Sequence, residues 1–427
     1  MISPLTDLRT LLSNLAPHIP FQLPSLASIP ALKGASPTPT RALSIGIIGA
    51  GLGGLTAAVV LQKAGIHVTV YERDSASDAR SQGGILDMHP ESGQVALAAA
   101  GLTDQFEKIC MHELQTMRIV DKEAKIAFDE IEFNNKKGRP NDEDRPEVER
   151  TQLRQILLDA LLPETVRWGT KLVDLEVAQG HALVHLEGQS QPWRHDVVVG
   201  ADGAWSKVRS FLSGAKPDYT GVVFVETFIS PVSEAQAAIT GKGSMFALSD
   251  DRGLIVQRTA RGQLRVYITL RKTLDEVEAL KQVPLVQLKE KLLDHFQGWN
   301  PVLLSLIQDS DPEKLVVRPL FSLSAEHRWS SNPHVTLLGD AAHVMVPFAG
   351  EGANLAMLDA LEVARAIIIA TRAGGSNESF AKQLALYEGH MMKRASIASE
   401  ESLKNQDVFI SQEAPQNVVD LLHKLMG

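Results

Sequence analysis

A glycine-rich turn near the N-terminus has the residue types and spacing of a phosphate-binding loop. A short apolar run enters the sequence GAGLGG, a helical stretch follows, and a second apolar run ends at Glu72. Gly49 permits the tight turn, Gly51 lets the backbone approach a pyrophosphate, and Gly54 lets the helix pack closely on the strand. Glu72 is placed to accept hydrogen bonds from a ribose. The unit predicts a site for an adenine dinucleotide and leaves open which one.

A second group of candidate residues follows the last apolar run, in the sequence GDAAHVMVPFAGEGAN that starts at position 339. Asp340 ends the predicted strand, where its carboxylate is able to accept two hydrogen bonds from ligand hydroxyls. Gly350 and Gly352 let the backbone approach a flat ring at the start of a long predicted helix. The N-terminus of that helix stabilises negative charge on the ring. The stretch therefore predicts a second part of the cofactor site.

Two charged residues between these motifs point to ligand binding. Asp202 follows a buried run in the sequence GADGAWSKVR, at the carboxyl edge of the predicted sheet, where open α/β sheets present ligand groups. Arg150 begins an amphipathic helix, and the helix dipole opposes a cation at that end. Its position indicates a bound anion, and an ordinary surface cation is the alternative.

Composition limits the kinds of protein that this chain can be. Its 427 residues favour two domains. A net charge of −9 argues against a nucleic-acid partner, and no apolar run is long enough to span a membrane. The single cysteine, Cys110, excludes an intrachain disulfide and a multi-cysteine metal site. We expect it to be a small buried or half-buried apolar residue, and we expect no metal.

The order of predicted elements indicates an α/β fold. Strands and helices alternate around the glycine-rich turn, as in a Rossmann-like domain, whereas several strands with short turns between Tyr219 and Arg271 predict an inserted, mostly antiparallel sheet. The predicted segments are a disordered extension rich in Pro and Ser at 1–42, a cofactor domain at 43–215 and 316–372, a substrate-binding sheet domain at 216–315, and a C-terminal helical segment at 373–427.

Three motifs in this order, GAGLGG, GADGAWSKVR and GDAAHVMVPFAGEGAN, resemble the flavoprotein aromatic hydroxylases of the para-hydroxybenzoate hydroxylase type. The resemblance covers about Leu43 to Asn405, and it implies FAD as cofactor and NADPH as reductant. Within that group, the sequences YERD, ARSQGGILDMHPESGQ and VERTQLRQILL look most like the tetracycline-inactivating monooxygenases.

The resemblance also assigns roles to individual residues. Glu72 would contact the adenosine ribose, Arg73 the adenine region and Arg80 NADPH, while Asp202 belongs to a motif that serves both FAD and NADPH. The full set that it implies for FAD is Gly49, Gly51, Gly54, Glu72, Arg73, Asp87, Arg150, Asp202, Asp340, Pro347, Gly350, Gly352 and Asn354.

The substrate positions depart from the tetracycline-inactivating pattern. The nearest positions in this chain are Glu226, Gly243 and Arg265, which differ in chemistry from the polar residues of those enzymes. Glu226 and Arg265 are the candidate substrate contacts, and strand residues facing core or solvent are the alternative. His343 is a candidate base, although its place beside Asp340 favours a supporting hydrogen-bonding role. We therefore assign no side chain as a catalytic acid or base.

The resemblance implies a FAD-dependent, NADPH-using monooxygenase. Such an enzyme uses O₂ to hydroxylate an aromatic or polycyclic phenolic or enolic small molecule through a flavin C4a-hydroperoxide, and tetracycline-like antibiotics are among the candidates. One alternative is a FAD-dependent oxidase or reductase that inserts no oxygen. Another is a flavin-binding sensor or an NADPH oxidase without a productive substrate. A cytoplasmic monomer is expected.

Overall fold

The structure, a computed structural model, describes residues 43–79, 84–137 and 145–426. The predicted disordered extension at 1–42 and the predicted NADPH contact Arg80 lie outside these residues. The strands are β1 (Ser44–Ile48), β2 (His67–Tyr71), β3 (Ile85–Asp87), β4 (Met117–Val120), β5 (Ile126–Asp129), β6 (Glu147–Glu149), β7 (Val166–Arg167), β8 (Leu172–Ala178), β9 (His181–Leu186), β10 (Trp193–His195), β11 (Val197–Gly200), β12 (Asp218–Ile229), β13 (Ser244–Ser249), β14 (Arg252–Arg258), β15 (Leu264–Arg271), β16 (Val316–Ser322) and β17 (Val335–Leu337).

The α-helices range from single turns to two long helices near the C-terminus. They are α1 (Leu52–Lys63), α2 (Gly93–Ala100), α3 (Thr103–Glu107), α4 (Glu130–Lys137), α5 (Arg150–Asp159), α6 (Lys207–Leu212), α7 (Glu234–Thr240), α8 (Leu274–Lys281), α9 (Leu285–His295), α10 (Pro301–Gln308), α11 (Asp340–His343), α12 (Gly352–Arg372), α13 (Asn377–Phe409) and α14 (Gln416–Met426). Within the described ranges, no helix is both long enough and apolar enough to cross a membrane.

A parallel sheet of five strands, in the order β17-β11-β1-β2-β7, forms the centre of the cofactor-binding half. Its central strands are apolar at nearly every position because helices cover them, and Ile45, Ile47 and Val199 are fully buried. Helices α1 and α12 pack on each other and belong to the same core. The predicted Rossmann-like α/β class is confirmed.

The glycine-rich turn between β1 and α1 depends on two close backbone approaches. Gly49 has φ +109°, and a Cβ there would lie 2.3 Å from the carbonyl oxygen of Ala201. A Cβ on Gly54 would lie 2.1 Å from the carbonyl oxygen of Gly49. At Gly51, by contrast, a Cβ would meet no described atom within 4 Å. The turn is therefore closed toward the sheet and open on the side of Gly51.

The second large sheet has seven strands in the order β16-β12-β15-β14-β13-β4-β5, and all its pairs are antiparallel except β13 with β4. One face packs on α8, α9 and α10. The other face includes Phe224 and meets Phe348 and Phe409. Strands β4, β5 and β16 come from outside 216–315, so this sheet draws on chain from both flanks of the predicted insertion, and the domain limits stay a prediction.

Short-range sequence signals predict several element ends correctly. Thr273 and Glu276 form the predicted capping box at the start of α8. The predicted break near Pro284 separates α8 from α9. Gly101 ends α2 with φ +71°, as expected of a glycine after a helix.

We predict that Gly54→Ala destabilises the fold by about 1–3 kcal/mol, the usual cost of an overpacked interior. The added Cβ meets the carbonyl of Gly49, which cannot move without shifting the turn. Urea unfolding of the purified variant measures the change. Gly214→Ala is the matched control, because a Cβ there meets no described atom within 4 Å. Equal stability of the two variants would contradict the close approach.

Candidate functional site

The three sequence motifs meet at one edge of the parallel sheet. Strands β1, β11 and β17 are neighbours that run in the same direction, so Gly49, Asp202 and Asp340, which follow them, lie at the same edge. The buried guanidinium of Arg209 joins two of these segments. It donates to the carbonyl oxygens of Ala204 at 2.6 Å and Ala341 at 3.0 Å. Arg209 lies in the quoted motif GADGAWSKVR, but sequence reasoning gave it no role.

We call this sheet edge, where the segments after β1, β11 and β17 lie side by side, the cofactor crevice. Its end beside α1 has the features of a phosphate site. Gly51 is the N-cap of α1, and among the described residues no side chain caps this helix and no acid lies in its first turn. The backbone N–H groups there, with the positive end of the helix dipole, suit a pyrophosphate. The backbone is open on the side of Gly51, where an added Cβ would meet no described atom within 4 Å.

Glu72 and Arg154 hold the same turn from two sides. Glu72 is buried and accepts hydrogen bonds from the N–H groups of Ala50 at 2.7 Å and Asp74 at 3.0 Å. Arg154 donates to the carbonyl oxygen of Ala50 at 2.9 Å. The contact of Glu72 with a ribose stays a prediction. Arg73 is exposed, and its contact with adenine also stays a prediction.

Asp340 lies on the floor of the crevice. The residues on both sides of it, 334–339 and 341–344, are buried, whereas the side chain of Asp340 keeps contact with solvent. Its carboxyl still lies among charged groups of the protein. Desolvation raises its pKa, and the positive charges of Arg150, His343 and Arg209 oppose that rise. Arg150, the first residue of α5, therefore acts electrostatically on Asp340, and its contact with a bound anion stays a prediction.

The loop after α11 presents its backbone to the crevice. Pro347 and Gly350 are exposed, while Phe348 between them is buried. Helix α13 fixes this loop, because Asn405 donates to the carbonyl oxygen of Phe348 at 3.1 Å. Gly350 has φ +70°, and a Cβ there would lie 3.5 Å from the carboxylate of Asp87. Gly352 then begins α12, whose N-terminus no side chain caps within the described ranges.

A buried clamp joins the start of α12 to strand β3. Asn354 is fully buried, donates to the carbonyl oxygen of Asp87 at 2.8 Å and accepts from the N–H of His89 at 3.0 Å. His89 Nε2 lies 2.9 Å from Asp87 Oδ2, and His89 Nδ1 lies 3.5 Å from Glu351. Burial alone lowers the pKa of His89, but the carboxylates of Asp87 and Glu351 outweigh it and raise the pKa to about 10.

His343 belongs to a second buried ion cluster. Its Nε2 lies 2.6 Å from Asp359 Oδ2, and Arg394 donates to the other oxygen of Asp359 at 2.8 Å. Burial lowers the pKa of His343, but the charge and hydrogen bond of Asp359 outweigh it and raise the pKa. Because its Nε2 is engaged by Asp359, His343 supports the segment after Asp340, and this pairing favours a supporting role over that of a base.

Asp202 caps a helix. Its carboxylate accepts hydrogen bonds from Ser206 Oγ at 2.5 Å and from the N–H of Lys207 at 2.8 Å. Both oxygens are thus engaged with the start of α6, and a direct contact of Asp202 with FAD or NADPH stays a prediction.

The structure brings the two candidate substrate residues together. Arg265 Nη2 is paired with Glu226 Oε1, and Arg318 Nε donates to Glu226 Oε2 at 2.7 Å. Glu226 and Arg265 are each 5% exposed. Arg265 also lies over the Phe228 ring, 4.9 Å from its centroid, and burial lowers its pKa. Two guanidinium groups face one carboxylate here, which leaves one positive charge in excess.

This charged group lies on the sheet face that meets the loop after α11, which carries Pro347, Phe348 and Gly350. Glu226 is directly opposite Tyr267 in the β12–β15 pair, so their side chains share a face. Phe224, on the same face, packs in a tilted arrangement against Tyr267 and edge-on against Phe348, with 5.4 and 5.9 Å between the ring centroids. A Cβ on Gly243 would lie 2.1 Å from the carbonyl oxygen of Thr116, so Gly243 packs on backbone.

Comparison with known proteins identifies the cofactor class that fits this site. A family model described as a FAD binding domain matches residues 42–383. Monooxygenase penA of Penicillium thymicola is 30% identical over 383 residues, which cover 77% of this chain and 85% of that protein. The chain therefore belongs to this FAD-binding family and is a FAD-dependent monooxygenase by class. The expected FAD cofactor and the resemblance to flavoprotein hydroxylases are confirmed.

Solved structures share the fold. Klebsiella pneumoniae HpxO complexed with FAD and uric acid has a TM-score of 0.72 at 22% identity, covering 90% of this chain and 92% of that one. Tetracycline destructase Tet(51) has a TM-score of 0.65 at 19% identity, covering 90% of this chain and 96% of that one. At these identities the likeness concerns the fold and does not define the substrate.

We predict that His89 contributes pH-dependent stability. Its folded-state pKa is raised, so the charged ring stabilises the fold fully below about pH 6.5, and this stabilisation is lost as the pH rises toward 10. The difference in unfolding free energy between the parent and His89→Gln should shrink between pH 7 and 10 by at least about 1.4 kcal/mol, the value of one pKa unit. Denaturant unfolding at several pH values measures it, and a constant difference would mean that His89 is neutral in the folded chain.

Proposed function

We propose that this monooxygenase uses NADPH to hydroxylate an aromatic or polycyclic small molecule that carries a phenolic or enolic oxygen. The observation that supports this proposal best is the position of the Glu226–Arg265–Arg318 group. It lies on the sheet face that packs against the loop carrying Pro347 and Gly350. A planar molecule bound beside that face, next to the loop, would be close to both the charged group and the flavin.

The cofactor supplies the difficult chemistry. FAD, when bound and reduced, allows O₂ to deliver one oxygen atom to an electron-rich carbon, and the protein binds, orients and excludes water. The residues that would hold FAD are those of the crevice: Gly51 at the pyrophosphate, Asp340 at hydroxyl groups, and the N-terminus of α12 near the negatively charged ring. Phe348 and Phe224 are buried beside the loop and keep water from that side.

The charges of the substrate face favour an acidic oxygen. Glu226 is neutralised by one guanidinium, and the second leaves an excess positive charge beside it; Arg265 is buried, whereas Arg318 is half-exposed. Arg265 Nε is buried and has no hydrogen-bond partner among the described residues. An anionic phenolate or enolate oxygen would pair with that charge, and ionisation of such a ring also makes its carbon atoms more electron-rich. Uric acid, which is bound in the HpxO structure, is an acidic planar heterocycle.

We predict that Asp340→Ala weakens FAD binding about ten- to a hundredfold. It removes charge-assisted hydrogen bonds worth roughly 1.5–3 kcal/mol. The bound FAD remaining after dilution and gel filtration measures the loss by absorbance. Asp104→Ala, at an exposed helical position, is the matched control and should stay fully yellow. If the Asp340→Ala variant were as yellow as that control, the assignment of Asp340 as a FAD contact would be wrong.

The activity itself is tested by a substrate scan. Purified protein is mixed with NADPH, ¹⁸O₂ and a set of planar phenols, acidic heterocycles and polycyclic polyketides, tetracyclines included. We expect at least one class to accelerate NADPH oxidation and to gain one ¹⁸O atom. Replacing Arg265 with Met should raise the KM for that class of substrate, whereas the FAD content of the purified protein should change little. Turnover without ¹⁸O in the product would indicate an oxidase or reductase, and NADPH oxidation that no compound accelerates would indicate a sensor or futile oxidase.

A further inference from the structure

Three side chains outside the cofactor crevice converge with different metal-binding atoms. Glu107 ends α3, Cys110 follows it, and His112 begins a short 3₁₀ helix. Cys110 Sγ lies 3.3 Å from His112 Nε2 and 3.8 Å from Glu107 Oε2. His112 Nε2 lies 3.5 Å from that same carboxylate oxygen. A sulfur, a nitrogen and an oxygen thus surround one point.

The three separations match one face of a zinc coordination tetrahedron. With Zn–S near 2.3 Å and Zn–N and Zn–O near 2.1 Å, ligand atoms at tetrahedral angles lie about 3.4 to 3.6 Å apart. The observed edges of 3.3, 3.5 and 3.8 Å differ from these values by no more than about 0.3 Å. An ion placed just above the triangle would therefore reach all three atoms with the side chains as they are.

Gln115 supplies a second observation that points to a metal ligand. It is 5% exposed, and its Nε2 lies 3.5 Å from His112 Nδ1. Its Oε1 is buried and has no hydrogen-bond partner among the described residues. Rotation of this amide by half a turn brings Oε1 to Nδ1, where it accepts the ring proton. That tautomer leaves the lone pair of Nε2 free for an ion, which is how histidine ligands are usually fixed.

The backbone around the cluster is held in place. Met111, between two of the ligands, donates to the carbonyl oxygen of Glu147 at 2.7 Å and accepts from its N–H at 3.2 Å. The side chains of Glu107 and His112 are 52% and 60% exposed, so a fourth coordination position faces water. Burial and the charge of Glu107 raise the pKa of Cys110 to about 11, and the thiol is protonated without an ion.

We propose that Glu107, Cys110 and His112 bind a borderline-soft divalent cation, Zn²⁺ by the chemistry of its ligands, with water as the fourth ligand. Binding breaks the S–H bond of Cys110, forms a Zn–S bond and releases one proton to solvent. Mg²⁺ and Ca²⁺ prefer oxygen ligands and are poor competitors for a thiolate site. This proposal differs from the sequence-based expectation of no metal, which treated Cys110 as a plain apolar residue and stays an expectation.

Cys110 is the only cysteine in the sequence, so thiol labelling reports on this site alone. Untagged, FAD-loaded protein is freed of metal with a chelator, and alkylation by iodoacetamide is followed by intact mass. Zn²⁺ at ten times its dissociation constant should slow alkylation about tenfold, because about one site in eleven is then free. Mg²⁺ should have no such effect. Equilibrium dialysis should give one zinc ion per chain.

Two variants and one control make the test specific. His112→Ala and Glu107→Gln should each lose most of the protection and of the bound zinc, with FAD content unchanged as evidence of folding. His185→Ala is the control, since His185 also pairs with a carboxylate, Glu176, at 3.0 Å but has no cysteine beside it in the described structure. Protection that survives both ligand substitutions, or its absence in the parent, would overturn the proposal.

Discussion

The structure depends on three adjacent parallel strands that end at the same edge of one sheet. Strands β1, β11 and β17 each lead into a segment that carries cofactor-binding chemistry, and the register of the strands sets those segments side by side. The turn at Gly49, where φ is positive, lies so close to Ala201 that a side chain there would push the two segments apart, and a side chain on Gly54 would collide with the carbonyl oxygen of Gly49. The cofactor site therefore depends on the close approach of the glycine-rich turn to the backbone of Ala201.

Buried polar and charged side chains then hold in place the segments that the sheet brings together. Asn354 and His89 join β3 to α12, Asp359 joins His343 to Arg394, and Arg209 joins α6 to the segment of Asp340. Buried ions stabilise a fold poorly when partners are missing, and removal of one partner leaves the other charge uncompensated. Each cluster therefore favours one arrangement of the loops around the crevice. The substrate face follows the same pattern, with Glu226 between two guanidinium groups.

Sequence reasoning succeeded where the signal is local. The glycine-rich turn, the capping box at Thr273 and the helix end at Gly101 all depend on neighbours within a few residues. It gave no role to His89, Arg154 or Arg209, because their partners are set by tertiary packing. It also could not indicate that the carboxylate of Asp202 caps α6, or that Asn354 pairs with Asp87, 267 positions away.

The most direct test of the cofactor crevice is an experimental structure of the purified chain with FAD. We expect the pyrophosphate beside Gly51 at the start of α1 and the flavin ring beside Gly350, with the side chain of Asp340 within hydrogen-bond distance of the cofactor. FAD bound at another surface, or a crevice that stays empty at saturating FAD, would contradict the assignment.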